Sequence, residues 1–374
     1  MSRTIVLLVA LGLMLEAVPL RADEKAPLAA GPAHVIAYED ATLRAVTEHL
    51  EQTFGVPIVI NERDLQYARL SPELKITFEP KKLTLSAALD QVLHPRELGW
   101  RPRAGFGSRK ADYILIESRD SECPITITQV YKVRGDVNGK ELAKQIEREI
   151  APESWFSNRG PGGIPTATKS LLVIFNEERV LREIATKFSE QLQAVRGEVN
   201  YAAGSIEAKL CAKYTVHWRN KPLKDALEQL KQDQQVKLVW DDAAFTKAHI
   251  DQREPISLTA RSISVADILD LSVRQVGGQW RVEEDRLVIG TRESAAENIV
   301  SRDYDVRDLL PALDDDEHAL VELITSTVTP NVWREGTGPT DEVQFKRPGI
   351  LTVKEHDAFH RELAQFLADL RAAK

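Results

Sequence analysis

The chain has 374 residues, 43% hydrophobic and 28% charged, a globular balance that excludes a disordered or fibrous protein and is too long for one ordinary core. Its net charge of −8 argues against a nucleic-acid backbone as partner. Two cysteines are too few for a disulfide scaffold or a cysteine-based zinc cluster.

In chain order, Arg3 precedes an apolar run from Ile5 to Leu15, and Leu20-Arg21-Ala22 then leads into Asp23-Glu24-Lys25. That is the layout of a secretory signal peptide over 1–22, cleaved near Ala22. The run is too short for a membrane span, and no later segment reaches the ~18 apolar residues a span needs. No cysteine follows it to carry a lipid. The expectation is an exported, periplasmic protein whose mature chain has no transmembrane span.

The remainder repeats itself. Shifted by 180 residues, Tyr38 aligns with Trp218, Leu43 with Leu223, Leu50 with Leu230, Val59 with Val239, Leu89 with Leu269 and Trp100 with Trp280. Identities are sparse, and the apolar pattern carries the alignment. Each copy opens with a strand running to Asp40 or Asn220, read as helix N-caps, with Pro222 in a first turn. Leu43, Val46, Leu50 and Phe54 then keep helical spacing. Val56 to Ile60 and Val236 to Trp240 are β-rich, and alternation follows at Lys75 to Phe78 and Ile256 to Leu258. Thr84 and Ser264 are the caps of a second helix, and strands around Trp100, Tyr113 to Ile116 and their counterparts close the unit. The order reads β-α-β-β-α-β-β.

A different unit follows each of these. Ile125 to Val133 and Tyr304 to Val306 open it, and the helices Leu142 to Ile150 and Leu320 to Val328 run into Pro152 and Trp155, or Pro330 and Trp333. Proline has no N–H and ends a helix. A Gly-rich loop, a strand (Leu171 to Phe175, Ile350 to Val353) and a helix (Glu178 to Leu192, Asp357 to Leu370) complete the order β-α-β-β-α. The predicted fold class is α/β (α+β), four small units in tandem, A1-B1-A2-B2, at 34–120, 121–197, 205–294 and 299–374. They are expected to pack in a row, with 34–197 folding when expressed alone.

The run Leu43-x6-Leu50, then Gly55-Val56-Pro57-Ile58-Val59, then Leu83-Thr84-Leu85-x3-Leu89-x3-Leu93 and Gly99-Trp100 resembles the secretin and TonB N-terminal short domain. The B pattern, from Val130-Tyr131-x-Val133 through Leu171-Leu172-Val173, is similar to the KH-like ring-building domain of secretins. The alternation also resembles tandem exported proteins of planctomycete-type bacteria. The resemblance implies periplasmic α/β modules of secretins or TonB-dependent signalling receptors. No alternating strands of an outer-membrane barrel are present in the sequence, which sets this chain apart from a pore or transporter.

Candidate chemistry is thin. His356 and His360, spaced i, i+4 beside Asp357, lie on one helix face but lack the glutamate of a zinc-protease motif and read as a surface pair. Asp314-Asp315-Asp316-Glu317 precedes a helix, where acids favour the dipole. Gly160-Pro161-Gly162-Gly163 has KH-loop spacing and reads as a turn. Trp155 and Trp333 are the candidate interaction anchors; the alternative is that each ring folds over its own helix end. Cys123 and Cys211 flank B1 and are the candidate disulfide, left open against two free thiols.

No catalytic, metal or cofactor site is expected, and the chain is read as a non-catalytic protein-interaction module of the cell envelope. Its expected partners are envelope proteins, such as a secretion or signalling complex, or further copies of itself, without nucleic acid. An envelope hydrolase with an interdomain site and a glycan or peptidoglycan binder are the alternatives.

Overall fold

The computed structural model describes residues 31–106, 111–118, 126–158, 160–168, 170–313, 315–328 and 343–374. The expected signal segment, Cys123, Trp333 with its Gly loop, and Asp314 lie outside the described residues.

A1 contains β1 (His34–Thr42), α1 (Leu43–Phe54), β2 (Ile58–Ile60), α2 (Glu62–Tyr67), β3 (Lys75–Leu83), α3 (Leu85–Leu93), β4 (Leu98–Ala104) and β5 (Ala111–Ser118). A2 repeats it with β10 (Lys213–Pro222), α7 (Leu223–Gln234), β11 (Leu238–Trp240), α8 (Asp242–Lys247), β12 (Pro255–Ser264), α9 (Val265–Val273), β13 (Gly278–Glu283) and β14 (Arg286–Thr291). In each, an antiparallel two-stranded arm (β1-β3, β10-β12) accompanies a three-stranded sheet (β2-β5-β4, β11-β14-β13). The mixed α/β class is as expected, with the short helices α2 and α8 added.

B1 contains β6 (Thr126–Val133), α4 (Gly139–Glu149), β7 (Thr166–Ala167), β8 (Leu171–Glu177), α5 (Glu178–Lys187) and β9 (Leu192–Val195), in the sheet order β7-β8-β6-β9. B2 contains β15 (Ile299–Asp305), α11 (Glu317–Thr327), β16 (Val343–Arg347), β17 (Ile350–His356) and α12 (Asp357–Ala373), in the order β15-β17-β16. The helix expected over Glu178 to Leu192 stops at Lys187, and β9 returns along β6. Two short helices lie near the unit boundaries, α6 (Ile206–Leu210) at the start of A2 and α10 (Arg292–Glu297) between A2 and B2, the latter with a Thr291–Ser294 capping box.

Local chemistry explains most boundaries. Thr84 and Ser264 accept hydrogen bonds from the amides of Ala87 and Asp267, as N-caps should. Asp40 and Asn220 are not caps. Both sit in bulges of the two-stranded arms at φ 50° and 45°. Asp and Asn tolerate that left-handed conformation better than most side chains. Their amides bond Thr77 and Ser257, and helices α1 and α7 begin three residues further on, at Leu43 and Leu223.

The units do not pack in a row as self-contained bodies. One face of the A1 sheet (Ile58, Ile60, Ile114, Ile116) packs on its own helices, while Val59, Tyr113 and Leu115 of the other face enter the core of A2. B1 repeats this arrangement. Tyr131, Val133, Leu172 and Ile174 face α4 and α5, and Val130, Leu171, Val173 and Val195 pack against α11 and α12 of B2. Helix α12 is thus sandwiched between two sheets, with Phe359, Leu363, Phe366 and Leu370 all buried.

Fragment 34–197 carries all its own strands and helices but exposes both of these apolar faces. It should melt broadly and bind a hydrophobic dye, whereas the full chain melts cooperatively; thermal circular dichroism with dye titration checks this. A sharp melt of the fragment without dye binding would mean that the shared faces contribute little.

Candidate functional site

A2 and B2 meet at a buried carboxylate. Asp357, at the first turn of α12, is 4% exposed. One oxygen accepts from Arg302 at 2.8 Å, and the other accepts from the Val282 amide of β13 at 3.0 Å and faces Arg361 at 3.2 Å. The Arg361 guanidinium lies 3.8 Å over the Trp280 ring, whose indole N–H donates to Asp270 at 2.9 Å. One carboxylate therefore ties a strand of A2, a strand of B2 and the last helix together.

The two histidines singled out from sequence are here, and they are structural. His360 is fully buried, so the pair is not a surface feature. Its Nε2 lies 3.0 Å from the Val300 carbonyl, which can only accept, so Nε2 carries the proton and Nδ1 accepts from the Tyr304 hydroxyl at 2.9 Å. Burial holds its pKa below the ordinary imidazole range. His356 caps α12, its Nδ1 accepting from the Phe359 amide at 3.1 Å. Both ring acceptors are therefore occupied. Among the described residues, no group of three or more His, Cys, Asp or Glu could hold a metal ion.

Beside this joint lies a groove of about 610 Å³. The β13–β14 hairpin, with Glu283, Glu284 and Arg286, makes one wall; Asn298 to Arg302 at the start of β15 makes another, and Glu207 of α6 borders it. Glu283 bonds Arg281, Arg286 and Asn298, and these bonds hold its carboxyl below the usual range against the cost of partial burial. Arg302 is held by Asp357. Glu207 and Glu284 have no ion pair among the described residues.

The same groove borders the outer edge of β15, which pairs with no strand among the described residues except β17. The Val306 amide donates to Gly349 next to β17, so by antiparallel alternation Arg302 and Tyr304 turn their backbone groups toward β17. Ile299, Ser301, Asp303 and Asp305 turn theirs away. In B1 β9 pairs with the Val130 to Val133 end of the matching edge of β6, with Lys132 opposite Gln193 and Val130 opposite Val195. In B2, Arg371 donates to the Asp305 carbonyl at 2.8 Å and closes that end alone.

The remaining expected residues lie elsewhere. Trp155 is fully buried, and its indole N–H donates to the Ile150 carbonyl at 2.8 Å. It closes its own helix end and is not a surface anchor, because Pro152 turns the chain back at that point. Gly160 and Gly162 form a tight loop against Ser154 and Asn176, where any Cβ would collide. Asp316 caps α11. Cys211 is half-buried at the end of α6, and burial pushes its thiol up to about 11. Pairing with Cys123 falls outside the described residues.

A site the sequence reading missed joins A1 to A2. The Asp267 carboxyl takes the Ser264 hydroxyl beside Tyr113, while Lys213 pairs with Asp112 at 2.6 Å. Burial, aided by Asp270, pushes Asp267 up to about 6 against the opposing effects of the Ser264 hydrogen bond and Lys213.

No family model matches the chain, and no curated protein matches it. A GspC–GspD complex from the type II secretion system of enterotoxigenic Escherichia coli is similar at TM-score 0.18 and 14% identity, over 42% of this chain and 97% of that one. The structure of XcpQN012 is similar at TM-score 0.17 and 13% identity, over 66% and 98%. The N-terminal domain of the secretin XcpQ from Pseudomonas aeruginosa gives TM-score 0.16 and 13% identity, over 65% and 99%. At these scores the likeness to secretin N-terminal domains is weak, and the functional reading rests on this chain's own residues.

Two outcomes follow. Asp357→Ala should lower the unfolding free energy by about 2 kcal/mol, less than a fully buried pair because Arg302 reaches solvent, as denaturant titration will show. For Asp267 the folded pKa lies above the unfolded one. Its contribution to stability is therefore complete below the ordinary carboxylate range and is lost as pH rises through about 6. Asp267→Asn should remove that loss, gaining on the order of 2 kcal/mol over the parent between pH 4 and pH 7.5 in parallel melts.

Proposed function

We propose that the chain is a non-catalytic, exported protein-interaction module of the cell envelope, built from units at 34–120, 121–197, 205–294 and 299–374 after a cleaved segment at 1–22. The units resemble the secretin and TonB short domain and the KH-like domain, without a barrel. The observation that carries this reading is the strand edge of β15, which no strand among the described residues fills from Ile299 to Asp303 and which borders a groove of about 610 Å³. A sheet edge recognises an added strand through its main chain and needs no catalytic side chain. The buried polar groups around it fix the shape of the joint: Asp357 and His360 are both fully engaged. No helix among the described residues is long and apolar enough to cross a membrane.

The test is a photo-crosslinking amino acid at Ser301 in the full chain in its native cell, with Val35, 68% exposed on A1, as the control position. A discrete protein adduct at Ser301, absent at Val35, is expected. Adducts to glycan strands, or identical adducts at both positions, would overturn the reading.

A further inference from the structure

We infer that the groove takes an extended, basic polypeptide segment of a partner protein, laid antiparallel along β15 from Ile299 to Asp303. This rests on the interaction-module reading and adds the chemistry of the occupant.

The backbone half of the argument comes from the duplication. Tyr131 of β6 matches Tyr304 of β15: each hydroxyl reaches the carbonyl of the equivalent helix residue, Leu181 at 3.3 Å and His360 at 3.4 Å. With the two sheets so aligned, β9 in B1 runs along the side of β6 that corresponds to the outer side of β15, opposite the positions of Asp303 to Val306, and Ile299 to Asp303 continue that same edge. The protein thus displays the geometry of an added strand, antiparallel and bonded at alternate residues. Arg371 at the Asp305 carbonyl blocks continuation past that point. The outward groups of Ile299, Ser301 and Asp303 remain, enough for a segment of about five residues spanning ~17 Å.

The charge half comes from the walls. Arg286 and Arg302 are already matched by Glu283 and Asp357, so neither cation is available to an acidic ligand. Glu207 and Glu284, both lining the groove, are the groups without ion-pair partners among the described residues. Lysine or arginine side chains of an added strand would supply the missing partners. The chain's net charge of −8 favours the same partner at longer range. A bound acidic segment would instead bring carboxylates against both glutamates.

The probe is a short peptide alternating valine and lysine, with its glutamate-for-lysine counterpart as control, titrated into the full chain. The basic peptide should bind, weaken with added salt, and slow amide exchange at Ile299, Ser301 and Asp303. Ser301→Pro removes an N–H that points away from β17, so the melt should be unchanged while affinity falls about tenfold or more. Reversing both wall charges, Glu207→Lys with Glu284→Lys, should weaken the basic peptide about tenfold and admit the acidic one. Equal binding of the two peptides, protection confined to another surface, or full affinity in Ser301→Pro would overturn the inference. So would a concentration-dependent dimer of the parent chain that Ser301→Pro abolishes, since a second copy would then be the occupant. A native protein that crosslinks at Ser301 while the basic peptide fails to bind leaves the module reading intact and removes only the basic occupant.

Discussion

Each unit makes helices for only one face of its sheet, and the rest of the structure depends on that shortage. A unit of this size has a thin core, and a bare apolar sheet face cannot remain in water without cost. In the first copy that face is Val59, Tyr113 and Leu115 in A1, and Val130, Leu171 and Val173 in B1. The second copy covers both. Full burial of such side chains is worth roughly 1.5–3 kcal/mol each, so three per face is a large share of a small unit's stability. The interleaved chain order A1-B1-A2-B2 therefore produces two stacks, A on A and B on B.

A sheet-face-to-next-unit contact is head-to-tail, and such contacts can propagate without end. Here the second copy stops them by changing side chains at the same positions. By strand register, Val130 corresponds to Asp303 and Val173 to Thr352; exposed Asp303 accepts a hydrogen bond from the buried Thr352 hydroxyl at 2.7 Å. Tyr113 corresponds to Arg286, and the equivalent face of A2 is covered partly by α10, against which Gly290 leaves no room for a side chain. The comparison of copies thus separates residues that build every unit, such as Trp100 and Trp280 with their Asp90 and Asp270 partners, from residues that depend on position in the stack.

The element order, the helix stripes and the caps at Thr84 and Ser264 were legible because each depends on residues close in sequence. Asp40 and Asn220 were misread for an informative reason. The short polar side chains favoured at N-caps also tolerate positive φ, and only the strand pairing reveals which role is in use. His360 looked solvent-facing because its helix has polar neighbours, yet α12 lies between two sheets and buries more of its circumference than one amphipathic stripe predicts. Asp267 could not be found from the sequence at all. Its partner Tyr113 is more than a hundred residues away, in another unit, and the offset that aligns the copies gives no clue that they touch.

The partly open edge follows from the same asymmetry. In B1, α5 packs against one sheet, ends after 10 residues, and lets the chain turn back as β9 to pair with the Val130 to Val133 end of β6. In B2, α12 must also fill the bare face of B1, and it does so by continuing as a helix for 17 residues. A helix committed to that task cannot turn back to supply a strand. Its last turn instead sends Arg371 to the Asp305 carbonyl and to Asp308, which satisfies one end of the edge and no more. Covering the first copy's face and completing the second copy's edge are thus competing uses of one segment. The fold resolves the competition in favour of the face because apolar area exposed to water costs more than backbone groups that water can solvate. What remains, among the described residues, is a short strand edge beside the Asp357 joint, a feature created by how the two copies stack and needing no dedicated side chain to maintain it.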